Sequence, residues 1–219
     1  MLNVPNILTI FRLIAAPMVV LIFLILPRPY ADWIALVLFV GASLTDFLDG
    51  YLARLWKQTS KLGAMLDPIA DKAMVILALI AVVSIYGAQV HVIVPAALIA
   101  FREVFVSGLR EYLGDTAGTL KVTKLAKWKT AVQMVAIGVL LGKGIIEHGL
   151  YERIVGMDPA LVDAILSGAE EDLFGLRWRE AATNVARTGG FILMWAAAIL
   201  TLITGWDYFR KALPHLRDT

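Results

Sequence analysis

Between Asp46 and Asp71 the chain carries four aspartates at set intervals, Asp46, Asp49, Asp67 and Asp71, within a sequence otherwise dominated by Leu, Val, Ile and Ala. Asp46, Asp49, Gly50 and Ala53 follow i, i+3, i+4, i+7 spacing, which puts them on one face of a helix. Asp67 and Asp71 stand one turn apart on a second helix, with Gly63 one turn before Asp67. Two facing helices can aim four carboxylates at one point. Such a cluster repels itself, and each charge at membrane depth costs at least about 2.5 kcal/mol. A cation must offset it. Hard oxygen donors without His or Cys suit Mg²⁺ or Mn²⁺. Four shared carboxylates suit two such ions, the arrangement that clamps entering and leaving oxygens in phosphoryl transfer. The plainer alternative makes these aspartates solvated charges or partners of Arg54, Lys57, Lys61 and Lys72; four of them on two faces at matched depth argue against it. Gly50 and Ala53 leave room for a phosphate-bearing group against the backbone, or for tight helix packing. Arg54 is placed to fork onto phosphate oxygens, or to anchor the helix at an interface.

The elements that must hold these residues are helices in lipid. Of the 219 residues, 59% are hydrophobic and 17% charged, where a soluble domain has about 45–50% and about 25%. Mean hydropathy is +0.76. Six apolar segments approach the roughly 20 residues of a membrane span: 7–27, 32–55, 65–87, 91–113, 122–142 and 187–210. The expected fold is an all-α membrane protein of six transmembrane helices in one domain, 1–219. No small-x-small cleavage site follows the first segment, so it reads as an uncleaved helix. With no cysteine, thiol catalysis and disulfides are excluded; three histidines, all outside the aspartate stretch, argue against a His-dominated zinc site.

Under the six-helix pattern Arg12, Arg54, Lys57, Lys61, Arg110, Lys121, Lys124, Lys127, Lys129, Arg210, Lys211 and Arg217 fall on one side. The other side has Arg28 and a loop rich in Asp and Glu. The positive-inside rule then places both termini and the aspartates at the cytoplasmic face. In the outer loop, 143–186, Asp158–Pro159 reads as an N-cap and first turn; Leu161, Val162, Ile165 and Leu166 follow at helical spacing, and Gly168 is a stop. A second stretch, Leu173–Trp178, mixes apolar and aromatic residues. These predict one or two short amphipathic helices on the outer face.

The run Asp46–x2–Asp49–Gly50–x2–Ala53–Arg54–x8–Gly63–x3–Asp67–x3–Asp71 resembles, at every fixed position, the signature of the CDP-alcohol phosphotransferase family. NVPNILTIFR (Asn3–Arg12), FREVFVSGLREYL (Phe101–Leu113) and KLAKWKTAVQM (Lys124–Met134) are similar to family members that use sn-glycerol 3-phosphate as acceptor. The likeness covers about 3–142 and the last helix, not 143–186, which is longer than the family pattern leads one to expect. It implies a six-helix enzyme of the bacterial inner membrane, a homodimer, that moves the phosphatidyl group from CDP-diacylglycerol to the acceptor and releases CMP. It implies two Mg²⁺ or Mn²⁺ ions on Asp46, Asp49, Asp67 and Asp71, with Asp71 also the general base. It brings Gly50, Ala53, Arg54 and Gly63, with Asn6, Thr9 and Arg12, to the CDP donor, and Arg102, Arg110, Lys127 and Lys129 to the acceptor phosphate. Arg102 lies well inside an apolar segment, where an ionisable residue marks function or a buried pair with Glu103. The lysines equally suit interfacial anchoring or anionic-lipid binding. The signature reads the CDP side, so inositol phosphate or phosphatidylglycerol remain alternative acceptors. A divalent-cation transporter is a remoter alternative, which the neighbouring arginines oppose. Membrane lipids are expected partners and nucleic acid is not.

Overall fold

The computed structural model describes residues 4–56, 60–120 and 124–216, without the side chains of 47–56, 119 and 124. Every regular element in the described residues is helical: α1 (Val4–Ile25), α2 (Tyr30–Trp56), α3 (Lys61–Tyr86), α4 (Val90–Leu113), α5 (Lys124–Ile154), α6 (Pro159–Ser167) and α7 (Leu176–Ala212), with short 3₁₀ turns after α4 and α7. Five stretches among the described residues are long and apolar enough to cross a membrane: Val4–Ile25, Lys61–Tyr86, Val90–Gly118, Leu125–Ile154 and Leu176–His215. The 27-residue α2, which carries Asp32 and Asp46, is not among these five.

Helix α1 lies against both α2 and α3, α5 runs along α7, and α4 packs on α7. The seams are lined with alanine. Ala15, Ala16, Ala35, Ala42, Ala78, Ala81, Ala197 and Ala198 are all buried, and small side chains let helix backbones close up where lipid removes the hydrophobic drive between helices. Outward, Leu24, Val37 and Ile192 are among many large apolar side chains left exposed, an exterior suited to lipid.

Two helices run further than their apolar stretches. Helix α5 continues to Ile154 and α7 begins at Leu176, not at 142 and 187. At ~1.5 Å per residue the 31 residues of α5 span ~46 Å and the 37 of α7 ~55 Å, beyond the ~30 Å hydrocarbon core. Hydropathy falls where Lys143, Glu147 and Glu152 enter α5 and Arg179 and Glu180 enter α7. The backbone stays helical because the two helices support each other along their length. The segment outside these two long helices therefore shrinks to the residues between α5 and α7. Within it α6 forms as expected. Asp158 accepts from the Ala160 N–H at 3.0 Å, Pro159 opens the first turn, Gly168 ends it, and Ile165 is buried. Leu173–Trp178 is no separate helix but the entry to α7, where the Asp172 carboxylate accepts from the N–H groups of Leu176 and Arg177 at 2.8 and 3.0 Å.

The end remote from the aspartates is tied by polar contacts. Buried Asp32 accepts from Arg28 Nε at 2.8 Å, and Tyr86 donates to the Leu140 carbonyl at 3.0 Å. The Lys143 ammonium sits 5.5 Å from the Tyr86 ring centre. Because α5 and α7 hold each other without help from α6, replacing 157–171 with a short Gly/Ser linker should lower the melting temperature in detergent while far-UV circular dichroism stays helical. A protein that no longer folds would show that α6 carries the bundle.

Candidate active site

The site is organised around Arg12, 2% exposed on an otherwise uncharged α1. Its Nη1 donates to Asp46 Oδ1 on α2 and, at 2.5 Å, to Asp71 Oδ1 on α3; its Nη2 lies 3.4 Å from Asp67 Oδ1. One guanidinium thus gathers three of the four predicted aspartates, from two helices, while their side chains stay about half open, at 51%, 46% and 51% for Asp46, Asp67 and Asp71. Asp49, Gly50, Ala53 and Arg54 lie on α2, with side chains outside the described residues.

The same face of α1 continues the contact. Thr9, three residues before Arg12, donates to Asp67 Oδ1 at 2.6 Å. Asn6, three residues earlier still, accepts from the Ser60 hydroxyl at 2.7 Å, and Ser60 caps α3 by accepting from the Gly63 N–H at 2.9 Å. A Cβ on Gly63 would stand 2.8 Å from Asn6 Oδ1, so the glycine lets α1 close on the start of α3. Asn6, Thr9 and Gly63, expected along the donor, are therefore buried and engaged in setting the aspartates.

Among the described residues no three acidic or imidazole groups close on a common point; the carboxylates surround Arg12 instead. The donor set nevertheless fits a hard divalent cation: it is oxygen only, anionic, drawn from two helices and half open. Arg12 holds oxygens that such an ion would use, so ion and guanidinium would share one set of carboxylates.

Asp71 also opens into a second space. A cavity of about 530 Å³ is lined by Asp71, Lys72, Arg102, Glu103, Arg110, Lys127, Lys129 and Gln133, with smaller neighbours. All four predicted acceptor residues are here, at one aspartate of the cluster. Five basic side chains face two carboxylates in this described lining, so the cavity favours an anion. Glu103 bonds both Lys129 and, at 3.3 Å, Arg102; the cavity role and the buried pair with Glu103, posed as alternatives, are both present. The Arg102 stem lies on Gly205 of α7, where a Cβ would come within 2.9 Å of its Cγ. The Arg110 guanidinium stands 5.1 Å from the Tyr208 ring centre, and Lys127 is exposed. Sequence reasoning missed Arg12 as the counter-charge, and it missed Lys72, Glu103 and Gln133 as lining. The usable signal for Arg12 was a lone charge in an apolar span.

Residues 2–169 match the family described as CDP-alcohol phosphatidyltransferase. The chain belongs to this family. A relative from Cereibacter sphaeroides, named CDP-diacylglycerol–glycerol-3-phosphate 3-phosphatidyltransferase, is 56% identical over 99% of this chain and 98% of its own. One of the same name from Haemophilus influenzae is 44% identical over 99% and 96%. A third, from Wigglesworthia glossinidia brevipalpis, is 40% identical over 84% of this chain but 99% of its own. The first two family relatives match this chain along essentially its whole length, so 143–186 is no departure from the family. The third bears the same name on a shorter match.

Replacing Arg12 leaves three carboxylates facing one another. Arg12→Gln should cost about 2 kcal/mol of stability, below the roughly 3–5 kcal/mol of a fully buried pair because the partners are half open. Melting in detergent measures this, and Mg²⁺ should restore part of the loss. An unchanged melting temperature would refute the counter-charge role; no recovery with Mg²⁺ would count against an ion site.

Proposed function

We propose that the protein transfers the phosphatidyl group of CDP-diacylglycerol to the 1-hydroxyl of sn-glycerol 3-phosphate, giving phosphatidylglycerophosphate and CMP. The observation that carries this is the cavity in which Asp71 opens beside Arg102, Arg110, Lys127 and Lys129. It offers a carboxylate for a proton and fixed positive charge for a phosphate within one volume. The relatives' printed names favour glycerol 3-phosphate over inositol phosphate or phosphatidylglycerol. A guanidinium seated among the carboxylates disfavours a cation-conducting path.

In this reading Arg102, Arg110, Lys127 and Lys129 hold the acceptor phosphate, which directs the 1-hydroxyl toward Asp71. Asp71 takes the hydroxyl proton as the oxygen forms its bond to the phosphatidyl phosphorus; the bond from that phosphorus to CMP breaks, and CMP leaves with the electron pair. An anion attacks an anion here, so the positive charge must be in place beforehand. Asp46, Asp49, Asp67 and Asp71 would hold two divalent ions, Mg²⁺ or Mn²⁺, which when bound supply neutralisation of the donor diphosphate. Gly50, Ala53 and Arg54 would lie along the CDP moiety. Asn6, Thr9 and Gly63 serve the donor indirectly, through the position of Asp67.

We place α2 as the sixth span, both termini and the aspartates at the cytoplasmic face of a bacterial inner membrane, α6 on the outer face, and the chain in a homodimer. The charge distribution along the sequence supports this orientation.

Purified protein in detergent should release CMP from CDP-diacylglycerol with sn-glycerol 3-phosphate but not with inositol phosphate or phosphatidylglycerol, and a chelator should abolish release. Asp49→Asn should lower turnover by orders of magnitude in a folded protein; near-full activity would sink the two-ion arrangement. Arg110→Ala should raise the KM for glycerol 3-phosphate about tenfold while that for CDP-diacylglycerol stays put. The reverse pattern would move Arg110 to the donor.

A further inference from the structure

Gln133 lines the same cavity as Asp71 and Lys129, and neither the proton transfer nor the phosphate contacts employ it. It sits on α5 four residues after Lys129, one turn along the same helical face. The residue is 1% exposed, and its Oε1 is buried without a hydrogen-bond partner among the described residues. Leaving a buried amide oxygen unpaired costs on the order of 1–3 kcal/mol. A leucine would fill similar space in an apolar helix without that cost. The oxygen is an acceptor and calls for a donor. No neighbouring cation supplies it: Oε1 has no partner among the described residues, and Arg102 Nε in the same lining is itself without one. A ligand that enters this cavity with its phosphate on the basic side chains and one hydroxyl at Asp71 has a further group to place. For a three-carbon acceptor that group is the secondary hydroxyl, next to the attacking one.

We infer that Gln133 Oε1 accepts a hydrogen bond from the 2-hydroxyl of the acceptor and so selects a vicinal-diol phosphate over a simple alkanol phosphate. This rests on the acceptor reading above and deepens it. The phosphate contacts supply binding but are blind to the middle carbon. Asp71 serves the terminal hydroxyl. Gln133 distinguishes glycerol 3-phosphate from 3-hydroxypropyl phosphate, which has the same charge and the same attacking hydroxyl but lacks the central one. Without that hydroxyl the amide oxygen stays buried and unpaired in the complex, which is how polar sites reject analogues that lack a donor.

The test compares kcat/KM for sn-glycerol 3-phosphate and 3-hydroxypropyl phosphate, with CMP release as readout, in wild type, Gln133→Leu and Gln133→Glu. Wild type should prefer the diol about ten- to a hundredfold. Gln133→Leu should lose most of that preference, mainly by gaining on the deoxy acceptor relative to the diol, with the KM for CDP-diacylglycerol unchanged. Gln133→Glu keeps an acceptor oxygen and should keep the preference at reduced overall rate. The ratio of acceptors is independent of how much variant protein is folded. Wild type that does not discriminate, or Gln133→Leu that discriminates as wild type does, overturns the assignment. So does a Gln133→Leu protein that turns over neither acceptor and is not stabilised thermally by sn-glycerol 3-phosphate, since Gln133 would then belong to the fold. Failure of the acceptor reading itself looks different: wild type would release no CMP with either compound.

Discussion

The contact between Arg12 and the carboxylates of Asp46, Asp67 and Asp71 is the constraint on which the rest of the molecule depends. Like charges from two helices can share a small volume in a low-dielectric setting when a fixed opposite charge is among them. Helix α1 supplies that charge, and its packing against both α2 and α3 brings it within reach of carboxylates on each. Ser60, Gly63, Asn6 and Thr9 then read as one device: a cap, a gap and two polar side chains that bring α1 flush with the start of α3. The guanidinium is sealed while the carboxylates keep about half of their surface open. The arrangement is anchored from one side and accessible from the other, as a reacting centre requires.

Charge is divided across the site in an order that suits two anionic substrates. The acidic half lies on α2 and α3, the basic half mainly on α4 and α5 with Lys72 of α3, and Asp71 belongs to both. Within the basic half Glu103 stands between Arg102 and Lys129. It relieves the repulsion between two largely buried cations and leaves Arg110 and Lys127 with no carboxylate partner in that lining. Arg110 is held by an aromatic face instead, which positions a guanidinium without neutralising it. Such a cation keeps its full charge toward the cavity.

The aspartate spacing was readable in the sequence because helical periodicity is a local property: Asp46 on one helix and Asp67 and Asp71 on another do meet. The basic residues Arg102, Arg110, Lys127 and Lys129 were readable as a group through the family resemblance, and they share a cavity. Arg12 as the counter-charge was not, because its partners lie tens of residues away and only the packing of α1 decides what it meets. It was read as a topology marker and a donor contact. The ends of α5 and α7 were misplaced for a different reason. Hydropathy reports where lipid stops, and a helix supported by a partner helix continues past that point. Gln133 looked like one more residue of an apolar helix; only its burial, and the missing partner of its oxygen, mark it.

The position of Arg12 in the chain has a consequence for biosynthesis. A membrane protein is made and inserted from its N-terminus, so α1 reaches the bilayer before the helices that carry the aspartates. The positive charge is therefore present before any of the negative charges it will meet, and Asp46, Asp67 and Asp71 each reach α1 with their partner already in place. Had the arginine resided on α7, the carboxylates would have had to wait uncompensated through most of the chain's synthesis. The order of residues along the polypeptide thus acts as an assembly schedule for the polar centre, with the counter-charge delivered first.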